Sequence, residues 1–128
     1  MVQKADRQFT GVQYDIRHAV VEGGLSWKNG LRLIQPHIKT LALKDFIWEK
    51  RGKGYQVQDV PMGEGMVDFK TYFSLLKKYN VNVPVSLHFE FPLGGAEHGE
   101  SKITVDKKVV FDAMKKDLKK LHELWNGE

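Results

Sequence analysis

The chain has 128 residues, of which 41% are hydrophobic and 28% charged, with a formal net charge of +4; these values predict one globular domain over residues 1–128 with its own apolar core. The absence of cysteine excludes disulfides, thiolate metal sites and a cysteine nucleophile, and it favours a cytoplasmic location. No segment approaches the roughly 20 apolar residues of a membrane span, and the first seven residues lack the apolar core of a signal peptide, so neither membrane attachment nor export is expected.

The first predicted strand covers residues 8–15 and delivers a carboxylate and an imidazole at its C-terminal end. Asp15 closes the strand, and His18 follows three residues later. Residues 19–24 are predicted to form a loop because they end in a glycine pair. A helix is then predicted to begin after an N-cap at Ser26.

The second predicted strand covers residues 39–44 and ends on Lys44. Its short flanks predict a strand that is buried on both faces, as parallel strands usually are. Residues 46–67 are predicted to be irregular, and a loop of this length in a compact domain is usually functional or mobile. The loop contains Trp48, which could line a sugar pocket, and the glycine-rich residues 51–54, which do not run directly from a strand into a helix as a phosphate-binding loop does.

Asp68 is predicted to cap the next helix, and a third strand is predicted over residues 81–91. Alternation along this strand places His88 and Glu90 on one face near its C-terminal end. The last helix is predicted over residues 106–125. Six lysines within it contribute to the sequence pI of 9.2, and we interpret them as a solvated helix face rather than a nucleic-acid patch.

The alternation of strand and helix predicts an α/β fold of three consecutive β/α units, with a parallel sheet and right-handed crossovers. The loops after parallel strands converge on one face, so the ionisable side chains at the strand ends are expected to share one site. These side chains are Asp15, His18, Lys44, His88 and Glu90. Carboxylate oxygens suit a hard divalent cation such as Mg²⁺ or Mn²⁺, which can polarise a carbonyl and its neighbouring hydroxyl. This chemistry serves aldose–ketose isomerisation and epimerisation beside a carbonyl.

Four segments of the chain resemble one known family in the same order. They are residues 12–19, 41–46, 60–65 and 86–93. The segments are similar to the C-terminal part of the sugar phosphate isomerase/epimerase family, whose members are xylose-isomerase-like TIM barrels related to D-tagatose 3-epimerase and endonuclease IV. The resemblance implies a partial barrel, the C-terminal part of a (β/α)8 fold, which isomerises or epimerises a sugar or sugar phosphate.

The resemblance also implies roles for individual residues. Asp15 and Glu90 match metal-binding carboxylates of the family, and Glu90 matches one of its two acid/base carboxylates; the other comes from an earlier strand of the barrel. His18 matches a histidine that contacts substrate or metal. His88 and Trp48 are further candidates for binding the substrate.

One position departs from the family pattern. Ala42 stands where the epimerases of the family usually place a metal-binding histidine. The implied metal would then be held more weakly, be replaced in its role by Lys44, or not be bound. Lys44 is a catalytic candidate in its own right, because its ammonium group could meet a substrate carboxylate, phosphate or enediolate oxygen.

The length of the chain is also short for this family. A TIM barrel needs about 250 residues and eight strands, whereas three strands are predicted here. We therefore expect the C-terminal portion of a longer barrel, or a natural half that pairs with a partner chain. Open strand edges before Phe9 and after Phe91 would otherwise invite self-association. The expected ligand is a small sugar or sugar phosphate, and neither nucleic acid nor a membrane is an expected partner.

Two rival functions remain open. The first is a catalytically inactive remnant, or sugar-binding module, that keeps the pocket without the chemistry. The second is a phosphodiesterase of the endonuclease IV kind, which needs more histidine ligands than this chain places at its strand ends. Purely structural roles are open as well, since Lys44 and Asp45 also suit a salt-bridged strand end. The remaining histidines, predicted to lie at the surface, are His37, His98 and His122.

Overall fold

The computed structural model describes residue 6 and residues 8–127, so most of the segment that carries the signal-peptide prediction lies outside the described residues. The elements in chain order are β1 (Val12–Asp15), α1 (Ile16–Gly23), α2 (Trp27–Ile34), β2 (Ile38–Leu43), β3 (Asp45–Arg51), β4 (Gly54–Val60), α3 (Phe69–Lys78), β5 (Val85–Leu87) and α4 (Lys107–Asn126). Short 3₁₀ turns lie between them. Among the described residues, no helix is long and apolar enough to cross a bilayer.

The main sheet has three parallel strands in the order β1-β2-β5. The predicted α/β fold with parallel strands is therefore confirmed. Two strands are shorter than predicted: β1 begins at Val12 rather than at residue 8, because the preceding segment turns back on Asp6, and β5 has only three residues. Pro84, just before β5, has no N–H to donate, and the last ladder bond runs from His88 N–H to the Leu43 carbonyl at 2.9 Å.

The first helix follows β1 without a loop, and the loop predicted over residues 19–24 is therefore wrong. Asp15 ends the strand and also caps α1, since its carboxylate accepts a hydrogen bond from the backbone N–H of His18 at 3.2 Å. His18 consequently lies in the first turn of a helix and not at a strand end. The helix is capped at its C-terminal end by Gly24, whose φ of +51° suits glycine.

Residues 45–60 form an antiparallel hairpin, so the prediction of an irregular stretch over residues 46–67 is wrong for most of its length. Strands β3 and β4 pair from Asp45 with Val60 to Arg51 with Gly54. The two residues between them make a tight turn, in which Gly52 has a φ of +61°. Glycine at such a turn is a hairpin signal, and the charged residues around it obscured the strand pattern.

A buried carboxylate fixes the loop after the hairpin. Asp45 is fully buried, and its two oxygens accept hydrogen bonds from four backbone N–H groups at 2.9 to 3.0 Å. The donors are Phe46, Gly63, Gly65 and Val67. Asp45 therefore orders the backbone of this loop and does not pair with Lys44 as the sequence suggested, because buried carboxylate oxygens must find hydrogen-bond donors.

The main core lies between the parallel sheet and helices α1 to α3. Its fully buried members include Ile16, Leu31, Leu43, Phe46, Tyr72 and Leu76. His37 is also buried, with only 3% of its surface exposed, so its predicted surface position is wrong. In α4, Val110 is buried, whereas Trp125 is only partly covered and packs edge-on against Phe73 with ring centroids 5.4 Å apart.

Candidate functional site

Three ionisable side chains meet beyond the C-terminal ends of the parallel strands. Lys44 Nζ lies 2.8 Å from both Glu90 Oε1 and Glu90 Oε2, and 3.4 Å from Asp15 Oδ2. The Lys44 side chain is 6% exposed and that of Asp15 is 17% exposed, whereas the Glu90 side chain is 39% exposed. The group is thus a covered cation with one carboxylate that opens to solvent.

The sheet register explains why these residues converge. Asp15 pairs with Ala42, and Ala42 in turn pairs with Ser86. Registered partners in a parallel sheet share a face, and Lys44 stands two residues after Ala42, on the same side of the chain. The apolar runs of β1 and β2 thereby bring a carboxylate and an ammonium group together from positions far apart in the sequence.

Two further residues, Arg17 and Asp59, belong to the cluster and were not predicted from the sequence. Arg17 donates from Nε and Nη2 to the Asp59 carboxylate, and its Nη2 lies 3.6 Å from Glu90 Oε2. Arg17 sits inside the Asp15 to His18 motif, where it was overlooked. Asp59 belongs to β4, which was predicted to be irregular, so no sequence signal placed it near the parallel sheet.

The predicted histidines lie at the edge of the cluster. His88 Nδ1 is 3.3 Å from Glu90 Oε1, so His88 contacts the carboxylate directly. His18 Nε2 is 3.8 Å from Asp15 Oδ2, and its Nδ1 is 3.2 Å from Glu22 Oε1. The His18 side chain is half exposed and therefore marks the solvent side.

Trp48 lies on a different depression from the cluster. Its ring packs edge-on against Phe46, with centroids 6.0 Å apart, and 43% of its surface is exposed. The depression that it lines, about 280 Å³ in volume, is formed with residues such as Leu25 and Met66 and includes neither Lys44 nor Glu90. The structure thus does not bring Trp48 together with the other predicted site residues.

The charges of the cluster set the ionisation of Glu90. Burial would raise the pKa of the Glu90 carboxyl, but the hydrogen bonds and charge of Lys44, the hydrogen bond from His88 and the charge of Arg17 outweigh that effect. The pKa of Glu90 is therefore lower than that of an ordinary glutamate. At neutral pH the group is a carboxylate that can accept a proton or a hydrogen bond.

The donor set at this site does not fit a divalent metal. Within the described part of the chain, no group of three His, Asp or Glu side chains converges on a point where an ion could be held. Ala42 offers no ligand atom, and the Lys44 ammonium lies between the two carboxylates to which a metal role was assigned. A divalent ion at that point would repel the ammonium.

The arrangement can nevertheless support proton transfer at a carbonyl compound. A carboxylate that is open to solvent can take a proton from carbon. The adjacent ammonium and guanidinium groups can stabilise negative charge that develops on a substrate oxygen. The carboxylate is that of Glu90, the ammonium group is that of Lys44, and the guanidinium group is that of Arg17.

Comparison with known proteins agrees with the fold. The sequence profile of the xylose isomerase-like TIM barrel family matches residues 1–103. A crystal structure of a xylose isomerase domain protein from Planctomyces limnophilus superposes with a TM-score of 0.63 and 22% sequence identity, covering 98% of this chain and 40% of that protein. The chain thus spans less than half the length of this structural neighbour. No curated protein matches the chain significantly.

Proposed function

The chain belongs to the xylose isomerase-like TIM barrel family, and from this membership we propose that it is part of an enzyme that isomerises or epimerises sugars or sugar phosphates. The enzyme would do so by moving a proton beside a carbonyl. The observation that carries the proposal is the position of Glu90. Its anionic carboxylate stands three residues after the last parallel strand, open to solvent and next to two cations.

In this proposal Glu90 is the acid/base group. It removes a proton from the carbon beside the substrate carbonyl; the electron pair of the C–H bond forms a C=C bond, and the π pair of the carbonyl moves onto its oxygen to give an enediolate. The Lys44 ammonium and the Arg17 guanidinium face this oxygen and offset its charge. In an isomerisation Glu90 returns the proton to the former carbonyl carbon, while the proton of the adjacent hydroxyl moves to the former carbonyl oxygen. In an epimerisation a second carboxylic acid donates a proton to the opposite face of the original carbon, and the carbonyl forms again.

The remaining residues orient the components. Asp15 pairs with the Lys44 ammonium, and Asp59 pairs with the Arg17 guanidinium. His88 and the half-exposed His18 are placed to bind substrate hydroxyls. Trp48 would contact the substrate only if it extended beyond the cluster towards the β3–β4 hairpin.

A second carboxylate completes the chemistry in this proposal. Because the chain covers 40% of its structural neighbour, we expect further β/α units of an eight-stranded barrel to carry it, either in a longer protein or in a partner chain. Self-association through the open edges of β1 and β5 is the alternative. Co-expression of the chain with those β/α units, followed by size-exclusion chromatography, would distinguish assembly with them from self-association.

The test follows the transferred proton directly. The protein is incubated in D₂O with a panel of aldoses, ketoses and their phosphates, and ¹H NMR records the loss of the signal from the hydrogen beside the carbonyl. We expect deuterium to enter with one class of sugar, and Glu90→Gln to abolish its entry. Glu123→Gln, which removes a carboxylate from the surface of α4, is the matched control and should exchange as the wild type does.

A sugar-binding module without chemistry is the second candidate. The favouring observation is that both oxygens of Glu90 already accept from Lys44 at 2.8 Å, so the carboxylate would have to release one contact to act as a base. Calorimetric sugar binding without deuterium entry would favour this candidate. Neither binding nor exchange across the whole panel would contradict both.

A further inference from the structure

We propose that the Lys44 ammonium is the resident cation of this site, held between Asp15 and Glu90 in place of a divalent metal, so that the site meets its substrate oxygens without a metal ion. The inference rests on the proposed function only in assuming that this cluster faces the substrate. It states that the lysine ammonium takes the place of a divalent metal ion. Measurements of metal binding test it independently of catalysis.

Two carboxylates enclose the Lys44 ammonium, which makes two hydrogen bonds to Glu90 and an ion pair with Asp15. An ammonium group has three N–H donors, and three carboxylate oxygens surround Nζ: the two oxygens of Glu90 at 2.8 Å and Oδ2 of Asp15 at 3.4 Å. The side chain is 6% exposed. A covered ammonium is stable only if its partners supply compensating charge, and these two carboxylates supply it.

The same strand explains both the missing ligand and the added cation. Ala42 lies on β2 in register with Asp15, and Lys44 directly follows the last residue of that strand. The Ala42 methyl group is buried and leaves no nitrogen beside Asp15. The lysine extends from the end of the strand across this face and reaches both carboxylates.

The charge balance argues against adding a metal to this arrangement. Three carboxylates, those of Asp15, Asp59 and Glu90, meet two fixed cations, Lys44 and Arg17. A divalent ion would bring two further positive charges to within a few ångströms of the ammonium, in a partly covered site where such repulsion is only weakly screened. Removing the lysine charge reverses this balance and should create affinity for metal.

The test is a titration of the 128-residue chain with Mn²⁺ alone, monitored by calorimetry. We expect no saturable binding to the wild type at millimolar Mn²⁺. Lys44→Met should bind weakly, and Ala42→His/Lys44→Met more tightly because a histidine beside Asp15 adds a nitrogen ligand. The gain of the double variant over Lys44→Met should at least match the roughly 10- to 100-fold change that one supporting residue makes at a metal site.

The controls distinguish a gain of Mn²⁺ affinity at this site from a gain that removal of any lysine charge would give. Lys116→Met removes an exposed lysine that pairs with Glu64 and should create no Mn²⁺ affinity. Asp15→Asn added to the double variant should abolish the gain. Circular dichroism melts establish that each variant is folded, and paramagnetic broadening of the Asp15 and Glu90 NMR signals by Mn²⁺ tests the wild type without any substitution.

Two results would overturn the inference. One is selective broadening or saturable Mn²⁺ binding in the wild type that Asp15→Asn removes. The other is a folded double variant with no gain in affinity. Failure of the deuterium-exchange assay alone would refute the proposed reaction and leave the cation assignment standing.

Discussion

Arg17 donates two parallel hydrogen bonds to Asp59, from Nε to Oδ1 at 3.0 Å and from Nη2 to Oδ2 at 3.1 Å. The pair joins the first turn of α1 to strand β4. Both side chains are largely covered, with 13% and 17% of their surfaces exposed. Since Arg17 also lies beside Glu90, this pair connects the hairpin to the candidate site.

Loss of this pair should destabilise the fold. We expect Arg17→Met to lower the free energy of unfolding by about 1.5–3 kcal/mol, the usual contribution of hydrogen bonds to charged groups. Arg51→Met is the matched control, because Arg51 pairs with Glu49 on the exposed side of the hairpin and such pairs contribute about 0–1 kcal/mol. Urea denaturation of both variants gives the comparison, and equal losses would contradict the assignment.

Removing Lys44 should raise the pKa of Glu90. In the wild type, burial is outweighed by the hydrogen bonds and charge of Lys44 with those of His88 and Arg17, so Lys44→Met leaves burial as the main influence. The pKa of Glu90 is lower in the folded than in the unfolded chain, and the stability that it contributes is therefore present above the ordinary value of 4.5 and lost as pH falls through the folded value. Titration of the Glu90 carboxyl by ¹³C NMR measures the shift, and an unchanged pKa in Lys44→Met would refute it.

Gly65 should not tolerate a side chain. A Cβ atom at this position would collide with Asp45 Oδ1 and with the carbonyl oxygen of Phe46. We expect Gly65→Ala to lower the free energy of unfolding by about 1–3 kcal/mol, as overpacking does. Gly30→Ala in α2 meets open space and should raise it by about 0.5–1 kcal/mol. Chemical denaturation decides, and a neutral Gly65→Ala would show that the Asp45 loop adapts.

The buried hydroxyl group of Tyr72 should lower the stability of the fold. Tyr72 is fully buried, and its hydroxyl has no hydrogen-bond partner among the described residues. Because an unsatisfied buried polar group costs about 1–3 kcal/mol, Tyr72→Phe should stabilise the protein by up to that amount. Tyr14→Phe, which removes a donor to the Trp27 carbonyl at 3.5 Å, should give no such gain. A lower melting temperature for Tyr72→Phe would mean that the hydroxyl has a partner after all.

Asp117 should make stability depend on pH in the opposite sense to Glu90. Burial raises the pKa of Asp117, and the backbone hydrogen bond from Met62 offsets this only in part. The folded state therefore holds the proton more tightly, and stability falls as pH rises from the ordinary value of 3.8 through the folded value. Asp117→Asn keeps an acceptor oxygen without the charge, so it should raise the melting temperature at neutral pH and have no such effect below pH 3.8. An identical change in melting temperature at both pH values would show that the raised pKa of Asp117 is not its cause.

The convergence of strand-end residues was predictable because it follows from local pattern. Apolar runs that end on Asp15 and Lys44 identify parallel strands, and the C-terminal ends of such strands meet. The alternation that places His88 and Glu90 on one face is equally local. These features needed no knowledge of distant contacts.

The features that escaped prediction depend on contacts between distant residues or on residues with two functions. Arg17 and Asp59 are 42 positions apart, and no sequence pattern links them. Asp15 serves both as a strand end and as a helix cap, and the glycine pair after α1 obscured the helix. The hairpin was missed because its exposed strands carry many charges and its glycines resemble those of an irregular loop.

The β3–β4 hairpin is fixed at its base and free at its tip. Asp45 and Asp59 secure the end beside the parallel sheet, whereas residues 51–56 are exposed. Seven paired residues place the tip roughly 20 Å from the base. An epitope or fluorophore inserted between Gly52 and Lys53 would therefore report on this protein in solution while leaving the lysine–carboxylate cluster intact.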